Sequence, residues 1–337
     1  MEDAMTLIPT RRVAVGSLAM SLSAIAPEGW VSARQAQPGT SSAVLKPGRM
    51  IVPLPPGSSP DIAARLFVDA FSRHRGHSII VENKVGGGGT IAGETFAQIP
   101  PGEALFFGMG DLLTVAPLMQ DRSPFADRAA FVPISSIATD LMAVVVPASL
   151  PVRSLREVID YARGQPGALN WYATPGTSLY IAFNAFLKRR SIDAVFVSFR
   201  GLMLMELAQG HVHLALGSIA AALPYVRAGS VRLLAVSSTT RTPIVPDLPT
   251  TAEADCPDLL VEGVHGIFGW RGMPEATREA LSSDAQAVLA SPSLIERYAA
   301  VGLQARSSTP TAFVAELAAH RDRWTMLARE FGEMPKQ

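Results

Sequence analysis

Cysteine is almost absent: Cys256 is the only one among 337 residues. An internal disulfide and a cysteine-based zinc site are therefore excluded. Cys256 is also poorly suited as a nucleophile, because Asp255 precedes it, Pro257 follows, and an acidic neighbour disfavours the thiolate. An excess of either charge is missing as well: Lys+Arg is 29 and Asp+Glu is 29. That balance gives no electrostatic basis for binding nucleic acid or an anionic membrane surface, and no helix-turn-helix region can be placed. No apolar run reaches the roughly 20 residues that a membrane-spanning helix needs. A serine hydrolase loses its principal support, since no G-x-S-x-G elbow is present. Scattered Asp and Glu form no recognisable acid–base pair.

What is present is a large apolar complement. Hydrophobic residues make up 48% and charged residues 17%, enough to build substantial cores, and the length suits two domains. At the N-terminus Arg11 and Arg12 precede an apolar run, Val13 to Ala26, followed by small residues. This pattern reads as an export signal over residues 1–33, with cleavage after Ala33. The paired arginines admit a twin-arginine route, although the surrounding motif is incomplete.

Beyond a polar lead-in, strand and helix patterns alternate. Arg49-Met-Ile-Val reads as a strand, Pro55–Asp61 as a loop, and the next segment as a helix with Ser59 at the N-cap and Pro60 at the first helical position. Asp61, Arg65, Asp69 and Arg73 form an i,i+4 polar stripe on it, and Gly76 ends it. Strands follow at Ser78–Glu82 and Leu105–Gly108, separated by the tight turn Gly86–Gly89 and a helix from Thr90 to Gln98. This order describes a parallel doubly wound unit. A second unit begins near Val144. Ser154 and Glu157 have capping-box spacing. Strands are expected at Asn170–Ala173, Val195–Ser198, His211–Leu216 and Val231–Ser237, and helices at Leu179–Lys188 and Gly201–Gln209. Helices close the chain from about Pro274, the last capped by Thr309 and Pro310. The fold class is therefore α/β in two units.

Ligands of open α/β sheets bind beyond the carboxyl ends of the strands. Three strand-to-helix loops have the right composition: Pro55–Asp61, Thr174–Tyr180 and Phe199–Leu202. Each offers backbone N–H groups at a helix start, which favours an anion such as a carboxylate. Ordinary turn chemistry explains any one of them; three together favour a ligand site. Other motifs have simpler explanations. Gly86–Gly89 lacks the Gly-Lys-Ser/Thr ending of a phosphate loop and cannot be fitted to G-x-G-x-x-G, so it reads as a turn permitting close packing. His211 and His213 share a face of an expected strand, but no nearby Asp, Glu or Cys completes a metal set. Met203 and Met205 read as core.

In order and spacing these segments resemble the Bug family, periplasmic solute receptors of tripartite tricarboxylate transporters. The likeness runs from Ile51-Val-Pro-Leu-Pro-Pro-Gly57 with Asp61-Ile-Ala-Ala-Arg65, through Val81-Glu-Asn-Lys-Val-Gly-Gly-Gly-Gly-Thr-Ile-Ala-Gly93 and Gly176-Thr-Ser178. It continues in Leu223–Gly229, Leu233–Ser237, Pro246–Glu253 and Gly266–Trp270. The resemblance implies a two-lobed periplasmic binding protein (type II-like), each lobe a mainly parallel sheet flanked by helices, with a hinge between lobes. Residues 47–147 and 266–337 would form lobe one and residues 148–265 lobe two. It implies no catalysis, cofactor or metal. It implies a small carboxylate ligand and membrane transporter subunits as partners of a monomeric receptor. The implied ligand-binding residues are Gly57, Ser58, Ser59, Asp61, Gly110, Asp111, Thr177, Ser178, Tyr180 and Arg200.

The sequence departs from the family pattern at Ser58, where a second glycine is usual, and at Tyr180, where histidine is common. It departs also at Ala116, at Leu202-Met203-Leu204 and at His213. Asp111 adds a negative charge beside a site for carboxylates. These departures point to an aromatic or monocarboxylic acid rather than citrate. Two other functions stay open on the residues alone: a ligand sensor acting through a partner protein, and a small exported enzyme on the same scaffold.

Overall fold

The computed structural model describes residues 46–120, 122–199 and 202–332. The export-signal expectation for residues 1–33 lies outside them, and so does Arg200. The elements run β1 (Arg49–Val52), α1 (Ser59–Arg75), β2 (Ile80–Asn83), α2 (Thr90–Gln98), β3 (Ala104–Met109), α3 (Gly110–Thr114), α4 (Ala116–Met119) and β4 (Val132–Pro147). They continue with α5 (Leu155–Gly164), β5 (Leu169–Tyr172), α6 (Ser178–Arg189), β6 (Ala194–Phe196), α7 (Met203–Ala208), β7 (Leu214–Ser218), α8 (Ile219–Arg227) and β8 (Val231–Val236). The chain ends through β9 (Glu262–Gly269), α9 (Glu275–Leu289), α10 (Pro292–Ala300), β10 (Leu303–Ala305) and α11 (Pro310–Glu330).

The strands follow the order β2-β1-β3-β9-β4-β7-β5-β6, with β8 and β10 also pairing with β4. Parallel pairing joins β1 to β2 and β3 in the first half, and β5 to β6 and β7 in the second. Every pair that involves β4 or β9 is antiparallel. Among the named strands, parallel pairing is thus confined to β1, β2 and β3 in one half and β5, β6 and β7 in the other.

β4 belongs to both halves. Val132–Leu141 pairs with β9, while Met142–Val145 pairs with β7 and Ala143–Pro147 with β8. It is buried from Ile134 to Pro147, as a strand covered on both faces must be. Two large cores flank this change of partner. One gathers Phe67, Phe71, Phe106, Phe107, Phe268 and Phe313. The other gathers Trp171, Phe183, Phe186, Leu216 and Trp324. α11 also serves both, since Phe313 and Leu317 pack in the first core, Trp324 and Ala328 in the second.

Local signals explain the elements that place the site. α1 ends at Gly76, whose φ of 68° suits glycine, with the Gly76 and His77 N–H groups closing on Arg73 and Ser72 carbonyls. Its stripe forms the Arg65–Asp61 and Arg73–Asp69 ion pairs. Its buried apolar face is Ala63, Ala64, Phe67, Val68 and Phe71. The Gly86–Gly89 run has positive φ throughout, and a Cβ on Gly89 would lie 2.9 Å from Leu112, so close packing is its role there. Ser154 caps α5 by accepting from Glu157 N–H, while Glu157 reaches back to Arg153 N–H.

Two boundaries need correction. β7 begins at Leu214, so His211 and His213 precede the strand instead of sharing a face of it. His213 Nδ1 accepts from Asn170 N–H at 2.9 Å, while His211 Nδ1 lies 2.8 Å from Glu206. The two rings therefore have separate partners. β10 interrupts the helices near the C-terminus and pairs with β4.

Candidate functional site

The loop between β1 and α1 is held by the chain's own acid. Asp61 is 1% exposed. Its carboxylate accepts from Gly57 N–H at 2.9 Å, Arg65 Nε at 2.9 Å and Asn83 Nδ2 at 2.8 Å. Burial alone would raise this carboxyl, but those three donors outweigh it and hold it below the usual carboxylate range. Asn83 also donates to the Leu54 carbonyl and accepts from Arg65. Gly57 and Asp61 are thereby committed to shaping the loop. Ser58 is the N-cap residue, in place of Ser59, but its hydroxyl donates to the Pro55 carbonyl at 2.7 Å and makes no capping bond.

Ser59 faces the junction of the halves. Its Oγ donates to Asp140 Oδ2 at 2.6 Å, and Ser218 Oγ donates to Asp140 Oδ1 at 2.6 Å. Ser218 is also the N-cap of α8, accepting from Ala221 N–H. Asp140 thus ties the start of α1 to the start of α8, next to the point where β4 changes partners. Burial pushes its carboxyl up to about 6, against the pull of the two serine hydroxyls. Sequence reasoning missed Asp140 and Ser218; an aspartate inside an otherwise apolar strand was the available signal.

The third contact crosses directly between the halves. Asp111, in the first turn of α3, accepts on Oδ2 from both Ser178 N–H at 3.0 Å and Ser178 Oγ at 2.9 Å. Gly110 precedes it and its carbonyl accepts from Thr114 Oγ1. Thr177 is the N-cap of α6, accepting from Tyr180 N–H and donating to the Thr174 carbonyl at 2.6 Å. Loop 174–177 lies beside Met119 of α4. The α6 start therefore receives a carboxylate, as the helix dipole and free N–H groups favour.

His320 on α11 stands behind Asp111, with Nε2 at 3.7 Å from Oδ1. Its Nδ1 lies 2.8 Å from Thr114 Oγ1, and its Nε2 accepts from Trp324 Nε1 at 2.9 Å. Because Thr114 already donates to Gly110, this network assigns the ring proton to Nδ1. Burial lowers the His320 pKa, Asp111 opposes the shift and Arg323 adds to it. With Nε2 accepting from Trp324, the ring turns no N–H toward Asp111.

Of the expected site residues, the structure joins Asp111 to Ser178, flanked by Gly110, Thr177 and Tyr180. It places Gly57, Ser58, Ser59 and Asp61 on the α1 loop, linked to the second half through Ser59 and Asp140. Among the described residues no cluster of three or more His, Cys, Asp or Glu side chains is arranged to hold a metal. Cys256 is buried, and burial pushes its thiol up. A separate depression is lined by Val226, Val231, Leu233, Val245 and Leu248. Its one guanidinium, Arg232, is spent on the Val152, Leu150 and Ala148 carbonyls.

Two mixed sheets, a shared crossing strand and helix starts meeting at the junction define a two-lobed periplasmic binding protein fold. The structure of R. palustris Rpa4515 with adipate superposes with a TM-score of 0.79 at 28% identity, covering 85% of this chain and 97% of that one. The periplasmic binding protein BugD shares the fold, with a TM-score of 0.76 at 24% identity over 86% of this chain and 99% of that one. The UPF0065 protein in the tcbD-tcbE intergenic region of Pseudomonas sp. (strain P51) is 28% identical over 290 residues, 85% of this chain and 86% of that protein. Residues 63–332 match the tripartite tricarboxylate transporter family receptor, and the chain belongs to that family.

Proposed function

We propose that this protein is an exported solute receptor that captures a small carboxylic acid in the cleft between its lobes and delivers it to the membrane subunits of a tripartite tricarboxylate-type transporter. The observation that carries the reading is the start of α6, where Ser178 N–H and Oγ converge on a carboxylate oxygen. The oxygen held there is the protein's own Asp111, and the geometry supports an anion-favouring helix start at the carboxyl end of a parallel strand, where α/β sheets bind ligands. Family membership supports the same reading, as does the adipate bound by Rpa4515. Export proceeds through residues 1–33. Lobe one comprises residues 47–147 and 266–337 and lobe two residues 148–265, with β4 and α11 shared between them.

The ligand body is apolar or aromatic. Tyr172, Tyr180, Phe196 and Phe199 are half-buried around the carboxyl ends of β5 and β6. Tyr172 lies 4.4 Å from Phe199 between ring centroids, and Tyr180 meets Phe196 edge-on at 5.5 Å. Aromatic rings favour such offset and edge contacts, and a ligand ring can extend the stack. A thermal-shift screen of the purified protein against mono-, di- and tricarboxylates and aromatic acids tests the reading. Ligand at a hundred times its Kd adds about 2.7 kcal/mol, a shift of several degrees. An absence of stabilisation by every organic acid sinks the proposal.

A further inference from the structure

We propose that Asp111 sets the ligand class. It is a tethered carboxylate filling the seat at the start of α6, so this end of the cleft takes the neutral or ammonium end of a monoacid and rejects a second carboxylate. The inference rests on the carboxylate-receptor reading and sharpens it.

Asp111 Oδ2 uses both donors that Ser178 presents. A diacid placing a carboxylate there needs the same N–H and the same hydroxyl. Two carboxylates cannot share them, and like charges that close in a partly buried site repel strongly. His320, behind Asp111, does not relieve this, because it spends Nε2 as an acceptor for Trp324. The same network leaves Asp111 Oδ1 without a hydrogen bond from any described donor, the His320 ring nitrogen standing 3.7 Å away. The Asp111 side chain keeps 19% of its surface exposed. A carboxylate oxygen with no described donor, on a side chain that is partly exposed, suits an N–H group. An apolar end is tolerated too, since it leaves the Asp111–Ser178 bonds intact.

Calorimetry on the full chain tests this with ligands matched in length: hexanoate, ω-aminohexanoate and adipate. Benzoate and terephthalate form an aromatic pair. The unmodified protein is expected to bind each monoacid at least tenfold tighter than the matching diacid, and the amino acid no more weakly than hexanoate. Asp111→Ser is expected to narrow the monoacid-to-diacid ratio at least tenfold and to weaken ω-aminohexanoate relative to hexanoate. Asp111→Asn keeps the side-chain shape and moves both ratios in the same direction, which covers a folding defect in the serine variant. If the unmodified protein binds the diacids as tightly as the monoacids, or neither variant moves the ratio, Asp111 does not set the class and the receptor reading survives. If none of the five acids binds any of the three proteins, the receptor reading fails and the role of Asp111 falls with it.

Discussion

Ser59 at the start of α1 donates its hydroxyl hydrogen to Asp140 at 2.6 Å, in a strand that both sheets share. Ser218 holds the other oxygen from the opposite half. Burial raises the Asp140 carboxyl to about 6 from an ordinary value of 3.8. A folded-state pKa above the unfolded one means the folded protein binds the proton more tightly. Its stabilising effect is complete below pH 3.8 and is lost as pH rises through about 6. The loss amounts to about 3 kcal/mol. Asp140→Asn removes the buried charge while keeping the shape. Its melting temperature should exceed the parent's at about pH 8, and the two should converge near pH 4. Parallel pH profiles for the two proteins would refute the assignment.

His265 works in the opposite direction. It is 2% exposed on β9, its Nδ1 has no hydrogen-bond partner among the described residues, and its ring packs 5.6 Å from that of Phe107. Burial lowers its pKa to about 4 from 6.5. The unfolded chain takes up this proton first, so stability falls as pH drops from 6.5 towards 4, by about 3 kcal/mol in all. His265→Leu also removes an unsatisfied buried nitrogen, itself worth about 1–3 kcal/mol. The leucine variant should be more stable than the parent, with the advantage growing as urea titrations move from about pH 7 to pH 5. An advantage that stays constant across that range would contradict this account.

Asp61 supports the α1 loop by accepting from Gly57, Arg65 and Asn83. Asp61→Ala leaves those donors without their acceptor. Arg65 is half exposed and recovers hydration, so the expected cost is about 2 kcal/mol. Amide hydrogen exchange should show the loop from Pro55 to Ser59 opening far more readily in the variant, with the outer strands of the other half unaffected. Unchanged exchange in that loop would show that its shape does not depend on Asp61.

Local chemistry explains which parts of this fold were legible in the sequence. The Asp and Arg stripe of α1, its glycine stop, the capped starts of α5 and α11 and the glycine turn before α2 are interactions between residues a few positions apart. β4 was only half visible, because Ser135, Ser136, Thr139 and Asp140 give its first part a polar look although all four are buried. Their burial depends on β9 and β10, which come much later in the chain. Val212, Leu214 and Leu216 alternate like a strand that starts before Leu214, while the Asn170 contact that occupies His213 is long-range. Ser59 looked like an N-cap, and it took Asp140 to reveal the other use of its hydroxyl. The loop families at the junction could be named from composition. The pairing of Asp111 with Ser178, across 67 positions, could not, since nothing local to either residue specifies it.

The sharing of β4 and α11 also governs how the molecule comes apart. Each contributes side chains to both large cores, so neither half can melt without stripping packing from the other. Lobes that merely touched would show two calorimetric transitions; these should show one, with van't Hoff and calorimetric enthalpies in agreement. A solute bound at the junction then protects the whole chain from unfolding at once, and amides far from the cleft gain protection along with those that line it.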